Sequence, residues 1–114
     1  MKKRDDSVFL RYILDSIAVI EGYLSGITKD TFKETSLLQD GVIRQLQIIG
    51  EATKKISPDI RSKHPDIPWQ DIAGMRDKLV HDYFGVDVDA VWITAKNDLP
   101  PLSSKISKVL SKIQ

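Results

Sequence analysis

The sequence contains no cysteine among its 114 residues, which excludes disulfide bonds and thiolate ligands for a metal. It also has no run approaching the roughly 18 apolar residues of a membrane-spanning helix. The basic start Met1–Arg4 leads into Asp5 and Asp6 rather than into the apolar core of a signal peptide. We therefore expect a soluble, unexported protein in the reducing cytoplasm.

Motifs for metals and nucleotides are also scarce. The two histidines, His64 and His81, form no H-x-x-x-H pair, so the sequence does not support a zinc site. The six glycines are scattered, and no glycine-rich loop that could cradle a phosphate is present. We expect neither a bound metal nor a cofactor.

An excess of one charge is lacking as well, because 17 Lys and Arg stand against 16 Asp and Glu, a net charge of +1. A protein that grips a long duplex by charge alone is usually more basic. Any contact with RNA should therefore be local, through a groove formed by association or through a patch such as Lys54, Lys55, Arg61 and Lys63. A solvated helix face remains the alternative for each of these side chains.

Helical periodicity, in contrast, is abundant, since apolar residues recur at i, i+3, i+4 and i+7. The pattern predicts a first helix over 7–25 that Gly26 ends, a connection at 28–32, and a second helix from a cap at Ser36 or Asp40 to Ile56. Further helices are predicted between Ser57-Pro58 and His64-Pro65, over 68–83 with Asp66 or Ile67 as cap, over 86–96 behind Asp87 or Asp89, and after a turn at 97–101 to Ile113.

These elements predict one all-α domain over residues 1–114, an antiparallel bundle of four main helices with short helices added. No segment alternates with the period of two that a strand requires. Several helices carry Ile and Leu on more than one face, and Trp69 and Trp92 must also be accommodated. A homodimer would bury the surplus apolar surface.

Chemically capable residues crowd one segment, Gly74–Tyr83, where an arginine, a histidine and a tyrosine occur as R-x-x-x-x-H-x-Y. On an ideal helix Ile72, Leu79 and Tyr83 would lie within about 40° of one another and form a core stripe. Arg76 would lie at the edge of that stripe, with His81 about 140° away. This separation suits a cleft between two chains, in which Arg76 of one approaches His81 of the other.

These groups suffice for RNA cleavage without a metal. Arg76 offers a permanent planar charge for phosphate oxygens, and His81 can exchange a proton near neutral pH. Asp77, four residues earlier on the predicted helix, could orient the imidazole. A base would remove the proton of a ribose 2′-OH, the oxygen would attack phosphorus, and a cation would stabilise the developing charge.

A structural interpretation stays open beside the catalytic one. Asp77 and His81 could form an ordinary surface pair, Arg76 could be a solvated charge, and Tyr83 could lie at the edge of the core. Glu51 either points toward the Arg76 cleft or forms a surface salt bridge. His64, which precedes a proline in a turn, is interpreted as structural or incidental.

The sequence resembles the HepT-type toxins of the HEPN class (higher eukaryotes and prokaryotes nucleotide-binding). The resemblance covers nearly the whole chain and is strongest in Ile48–Ala52, Ile67–Arg76 and Leu79–Asp87, with Val91-Trp92 and Asn97–Pro100 also fitting. It implies an all-helical homodimer and a metal-independent ribonuclease. It also implies that Arg76 and His81 are the catalytic pair at the dimer cleft, supported by Asp77.

Proteins of this family are commonly encoded with a small nucleotidyltransferase antitoxin that transfers AMP from ATP to the motif tyrosine. The resemblance therefore implies a type VII toxin–antitoxin system in which Tyr83 is modified. The added bulk and negative phosphate would compete with RNA, either tRNA or mRNA, for Arg76. Two alternatives remain: a non-catalytic substrate-binding subunit of a nucleotidyltransferase complex, and a structural helical adaptor.

Overall fold

The computed structural model describes residues 5–80 and 85–113, and in these ranges the secondary structure is helical apart from turns and one isolated bridge. The all-α prediction is therefore confirmed for the described part of the chain. The helices are α1 (Asp6–Leu24), α2 (Lys29–Glu34), α3 (Ser36–Lys54), α4 (Pro58–Lys63), α5 (Trp69–Ala73), α6 (Met75–Leu79), α7 (Val88–Ile93) and α8 (Leu99–Ile113), with a π-helical turn at Thr94–Asp98.

Helices α1, α3 and α8 supply most of the core. Asp5 caps α1 by accepting a 3.0 Å hydrogen bond from the Ser7 N–H, and Gly26 follows the helix with a φ of 71°, in the left-handed region that the sequence predicted. Helix α1 packs against α3 and, less extensively, against α8. The largest fully buried side chains are Phe32, Leu10, Ile13, Ile17, Ile20, Leu24, Leu46, Ile49, Leu99, Ile106, Val42 and Val91.

The predicted connection at 28–32 is wrong, because most of it forms helix α2. The Thr28 hydroxyl caps this helix by accepting from the Thr31 N–H at 3.2 Å. Phe32 is then buried against Trp92, with ring centroids 5.4 Å apart. A single buried aromatic thus stabilises a helix too short for periodicity to reveal.

The start of α3 also differs from the prediction. Thr35 occupies the N-cap position without a side-chain cap, whereas Ser36 and Asp40 lie inside the helix. The Gln39 amide instead donates to the carbonyl of Phe32 at 2.9 Å, which ties α3 to the end of α2. A tertiary contact therefore replaces the local capping that the residue types favoured.

Helix α4 follows the prediction and is anchored to the start of α1. Ser57 caps α4, and its N–H and hydroxyl donate to the two carboxylate oxygens of Asp6 at 2.8 and 2.7 Å. Beyond α4, the Trp69 indole donates to the His64 carbonyl at 3.0 Å. The backbone of His64 thus has a structural role, as the sequence suggested for this residue.

The continuous helix predicted over 68–83 is wrong. Pro68, rather than Asp66 or Ile67, is the N-cap of α5, and Gly74 separates α5 from α6 with non-helical angles. Val80 is extended, with φ −115° and ψ 119°, and forms an isolated antiparallel bridge with Val86. Glycine and β-branched valine are poor helix formers, so tertiary pairing prevails over the 3.6-residue pattern here.

The turn predicted at 97–101 is also wrong, because α7, the π-helical turn and α8 follow one another directly. Asp87 caps α7 as predicted, accepting from the Ala90 N–H at 3.1 Å. Pro100 and Pro101 have no N–H to donate, and the wider π turn precedes them in place of a break. The division into four main helices is consequently not confirmed.

Candidate active site

Helix α3 and the junction between α5 and α6 lie unusually close together. A Cβ atom added to Gly50 of α3 would lie 3.0 Å from the Ala73 carbonyl oxygen, closer than real Cβ atoms usually approach. Glycine therefore permits this backbone contact. Arg76, one turn further along, is thereby held beside the surface of α3.

A small cleft of about 80 Å³ opens between these elements. Its lining is largely polar and consists of Gln47, Gly50, Glu51, Lys54, Ala73, Arg76 and Asp77. The structure thus brings together three of the residues singled out from the sequence, namely Glu51, Arg76 and Asp77. This cleft is the candidate active site.

The guanidinium of Arg76 is only partly paired. Its side chain is 37% exposed, and Nη1 lies 3.5 Å from Oδ1 of Asp77, at the outer limit of a hydrogen bond. Its Nε is buried and has no acceptor among the described residues. A buried N–H without a partner is costly, so the described contacts of this guanidinium leave part of its donor capacity unsatisfied.

Glu51 satisfies both interpretations made from the sequence. It lines the cleft with Arg76, and its Oε2 also lies 3.2 Å from the ammonium of Lys54 in an exposed ion pair. Sequence reasoning missed Gln47 as a cleft residue and treated Lys54 only as part of a surface patch. The spacing of residues 47, 51 and 54, which places them on one face of α3, was the signal that could have identified both.

His81 and Tyr83 lie outside the described residues. Helix α6 ends at Leu79 and Val80 is extended, so the helical register assumed between Asp77 and His81 is not maintained as far as residue 80. The i, i+4 pairing and the angle of about 140° between Arg76 and His81 therefore lose their basis. Of the predicted core stripe, Ile72 and Leu79 are buried.

The basic patch suggested by the sequence does not form one surface with one role. Arg61 donates from its guanidinium to the carbonyls of Thr53 at 2.6 Å and Ile56 at 3.2 Å. Lys63 pairs with Asp59 on α4 at 3.1 Å. Arg61 is thus a structural residue at the end of α3, and Lys54 is the patch member that lines the cleft.

A larger groove of about 490 Å³ lies on the other side of α6. Its apolar lining includes Ile72, Met75, Leu79 and Leu102, whereas Arg76 and Asp77 are not among its described lining residues. Size therefore does not identify the site, because the polar groups suited to phosphate chemistry border the smaller cleft.

Two further properties concern residues 5–80 and 85–113 as a whole. In these ranges no group of three or more histidine or acidic side chains is arranged to hold a metal ion. None of the helices in the same ranges is long and apolar enough to cross a membrane.

Comparison with known proteins decides the family. The model of the ribonuclease HepT-like family matches residues 13–109, which includes both sides of the cleft and the whole R-x-x-x-x-H-x-Y segment. The chain belongs to the ribonuclease HepT-like family. The resemblance stated from the sequence is thereby confirmed, as is the expectation of an RNA-cleaving enzyme.

Similar proteins extend the match over almost the full chain. The protein named Probable ribonuclease HepT from Thermococcus cleftensis is 45% identical over 94% of this chain and 97% of its own length. Putative RNase MJ1216 from Methanocaldococcus jannaschii is 42% identical over 100% of this chain and 94% of its own length.

A third relative is a longer protein. It is named Gamma-glutamylcyclotransferase and putative RNase MJ0434 and also comes from Methanocaldococcus jannaschii. It is 41% identical over 97% of this chain, and the match covers 50% of the relative's own length. No solved structure matches the chain significantly.

Proposed function

We propose that this chain is the toxin of a type VII toxin–antitoxin system, a cytoplasmic endoribonuclease that cleaves tRNA or mRNA. One observation carries the proposal: in a HepT-like chain, Arg76 borders a polar cleft with an Nε–H that lacks an acceptor in the described structure. A guanidinium with free donors is suited to the non-bridging oxygens of a phosphodiester. We further propose that residues 1–114 act as one domain and that two chains associate as a homodimer.

In the proposed reaction, His81 removes the proton from a ribose 2′-OH and the 2′ oxygen attacks the adjacent phosphorus. The bond from phosphorus to the 5′ oxygen breaks, and that oxygen takes a proton from water. The products are a 2′,3′-cyclic phosphate and a 5′-hydroxyl. Arg76 stabilises the negative charge that develops on the non-bridging phosphate oxygens, and Asp77 restrains the guanidinium.

Regulation in this proposal acts through Tyr83. A nucleotidyltransferase antitoxin would transfer AMP from ATP to the phenol oxygen of Tyr83, which loses its proton while pyrophosphate leaves. Tyr83 lies seven residues after Arg76 in the sequence. The bound phosphate would then compete with RNA for the guanidinium. Transfer is tested by mass spectrometry after incubation with ATP and the candidate antitoxin, with Tyr83→Phe as the control that should gain no AMP.

The decisive experiment incubates the purified, unmodified protein with total RNA in EDTA, beside the His81→Ala and Arg76→Ala variants. We expect cleavage by the wild type, fragments ending in cyclic phosphate, and loss of at least 100-fold in rate in each variant, on the order of what general base or charge stabilisation contributes. Light scattering of the same samples measures the dimer. Full cleavage by either variant would contradict the proposed catalytic pair.

A second candidate function is a non-catalytic binding subunit of a nucleotidyltransferase complex. It is favoured by the balance of charge in the cleft, where Glu51 and Asp77 oppose Lys54 and Arg76. This candidate predicts a stable complex with the nucleotidyltransferase. It also predicts that the unmodified dimer leaves every class of RNA intact.

A further inference from the structure

We propose that Lys54 is a second phosphate-binding residue of the RNA site, and that Glu51 holds its ammonium in place until RNA replaces the carboxylate. This inference rests on the proposed ribonuclease function. In this arrangement Arg76 binds one phosphate of the RNA, and the α3 side of the cleft binds the neighbouring phosphate.

Lys54 lies on the same cleft as Arg76. Gln47, Glu51 and Lys54 are spaced by four and three residues along α3, so they lie within about 60° of one another on the helix surface. All three line the cleft that Arg76 borders from α6. Two permanent cations from different helices therefore meet one groove, an arrangement suited to a polyanion with regularly spaced charges.

Both cations of the cleft are only weakly paired with carboxylates. The Lys54–Glu51 ion pair has side chains that are 55% and 62% exposed, and exposed pairs of this kind contribute little to stability because water screens them. Arg76 makes a long contact with Asp77, and its Nε is without an acceptor in the described structure. Phosphate oxygens can therefore replace both carboxylates at little cost.

The neighbouring cations lie outside the cleft, whether or not they are paired. Arg61 is bound to backbone carbonyls at the end of α3, and Lys78 pairs with Asp71 beside the larger groove. Lys63 pairs with Asp59 on α4. Among the described residues, Lys54 is the lysine that shares the cleft with Arg76.

The test measures binding of a fluorescent single-stranded RNA to the His81→Ala protein across a series of salt concentrations. Lys54→Ala should weaken binding severalfold at low salt and reduce the slope of log Kd against log salt by about 0.7, the value for one phosphate contact on a single strand. Lys54→Arg should restore both quantities.

Lys63→Ala is the matched control, because it removes the same charge from a similarly exposed ion pair with a carboxylate one helical turn away. It should leave affinity and slope unchanged. Glu51→Gln should tighten RNA binding, since it frees Lys54 and removes a repelling carboxylate, whereas Asp59→Asn should not. Equal effects of Lys54→Ala and Lys63→Ala would overturn the inference.

Cleavage by the wild type separates this inference from the function on which it rests. If the wild type cleaves RNA while Lys54→Ala behaves like Lys63→Ala, the second phosphate site is wrong and the ribonuclease proposal stands. If the wild type neither binds nor cleaves RNA, both are overturned. Circular dichroism checks the fold of each variant. We expect the fold to be retained, because all four substituted side chains are exposed.

Discussion

At the scale of single residues, identical charges in this chain have different roles. Arg61 and Lys54 belong to one basic stretch of the sequence, yet Arg61 donates to the carbonyls of Thr53 and Ile56 while Lys54 lines the cleft. Charge and spacing alone could not separate them. The difference arises because the chain turns after α3 and places the Arg61 guanidinium over the carbonyls of Thr53 and Ile56 at that helix end.

Arg61→Ala should destabilise the fold without a specific effect on RNA binding. The change leaves the Thr53 and Ile56 carbonyls without their charged donor, which should lower the free energy of unfolding by about 1.5–3 kcal/mol. Urea denaturation measures the loss. Lys55→Ala removes the same charge from an exposed neighbouring position and should cost far less; equal losses would show that charge, rather than the hydrogen bonds, is responsible.

At the scale of elements, the contact between α3 and the α5–α6 junction determines where Arg76 lies. Gly50 permits this contact because its hydrogen faces the Ala73 carbonyl oxygen, where a Cβ atom would lie only 3.0 Å away. The opposing atom belongs to the backbone and cannot rotate aside. The cleft is therefore sensitive to one methyl group.

Gly50→Ala should destabilise the protein by about 1–3 kcal/mol through overpacking and should also reduce RNA cleavage, because α5 and α6 must shift. Gly22→Ala is the matched control. A Cβ at Gly22 meets nothing within 4 Å, so this change inside α1 should stabilise by about 0.5–1 kcal/mol. Thermal unfolding compares the two, and stabilisation by both changes would disprove the close contact.

The sequence predicted the helices that have strong apolar periodicity or a clear cap, and it missed the elements that depend on tertiary contacts. α1, the body of α3, and α4 follow from apolar periodicity and caps, and Asp87 was correctly identified as a cap. α2 depends on burial of Phe32, and the end of α6 depends on the Val80–Val86 bridge. Such tertiary contacts leave no periodic signal, which is why these boundaries were missed.

The residues of the candidate site were likewise predicted only in part from the sequence. Arg76, Asp77 and Glu51 were named from residue type and spacing, and they line one cleft. Gln47 and Gly50 were not named as cleft residues, because their roles depend on how α3 packs against α5. Assignment of His81 and Tyr83 remains a prediction from motif and family.

At the scale of the whole molecule, polar links join helices that are distant in sequence. Asp6 connects the start of α1 to α4, and Asp89 of α7 lies 3.4 Å from the ammonium groups of both Lys29 and Lys33 on α2. Lys33, followed by Lys29, lowers the pKa of the Asp89 carboxyl below its ordinary value of 3.8. This exposed cluster thus links stability to pH and salt.

Because the folded pKa of Asp89 is lowered, its stabilising effect is present above pH 3.8 and is lost as the pH falls through the lower folded value. Asp89→Asn should therefore reduce the melting temperature slightly at neutral pH and low salt. The difference should vanish in acid and at high salt. Asp15→Asn on the exposed face of α1 is the control, and a difference that persists in acid would refute the electrostatic explanation.

The bridge between Val80 and Val86 has a consequence for how the motif can vary. The Asp87 N–H also donates to the Leu79 carbonyl at 2.9 Å, so the backbone is pinned on both sides of residues 81–85. The number of residues between Arg76 in the cleft and Val80 in the bridge is therefore set by geometry as well as by chemistry. One residue inserted or deleted between Arg76 and Val80 would change which residue faces Val86 or turn Arg76 away from the cleft, even with every motif side chain retained.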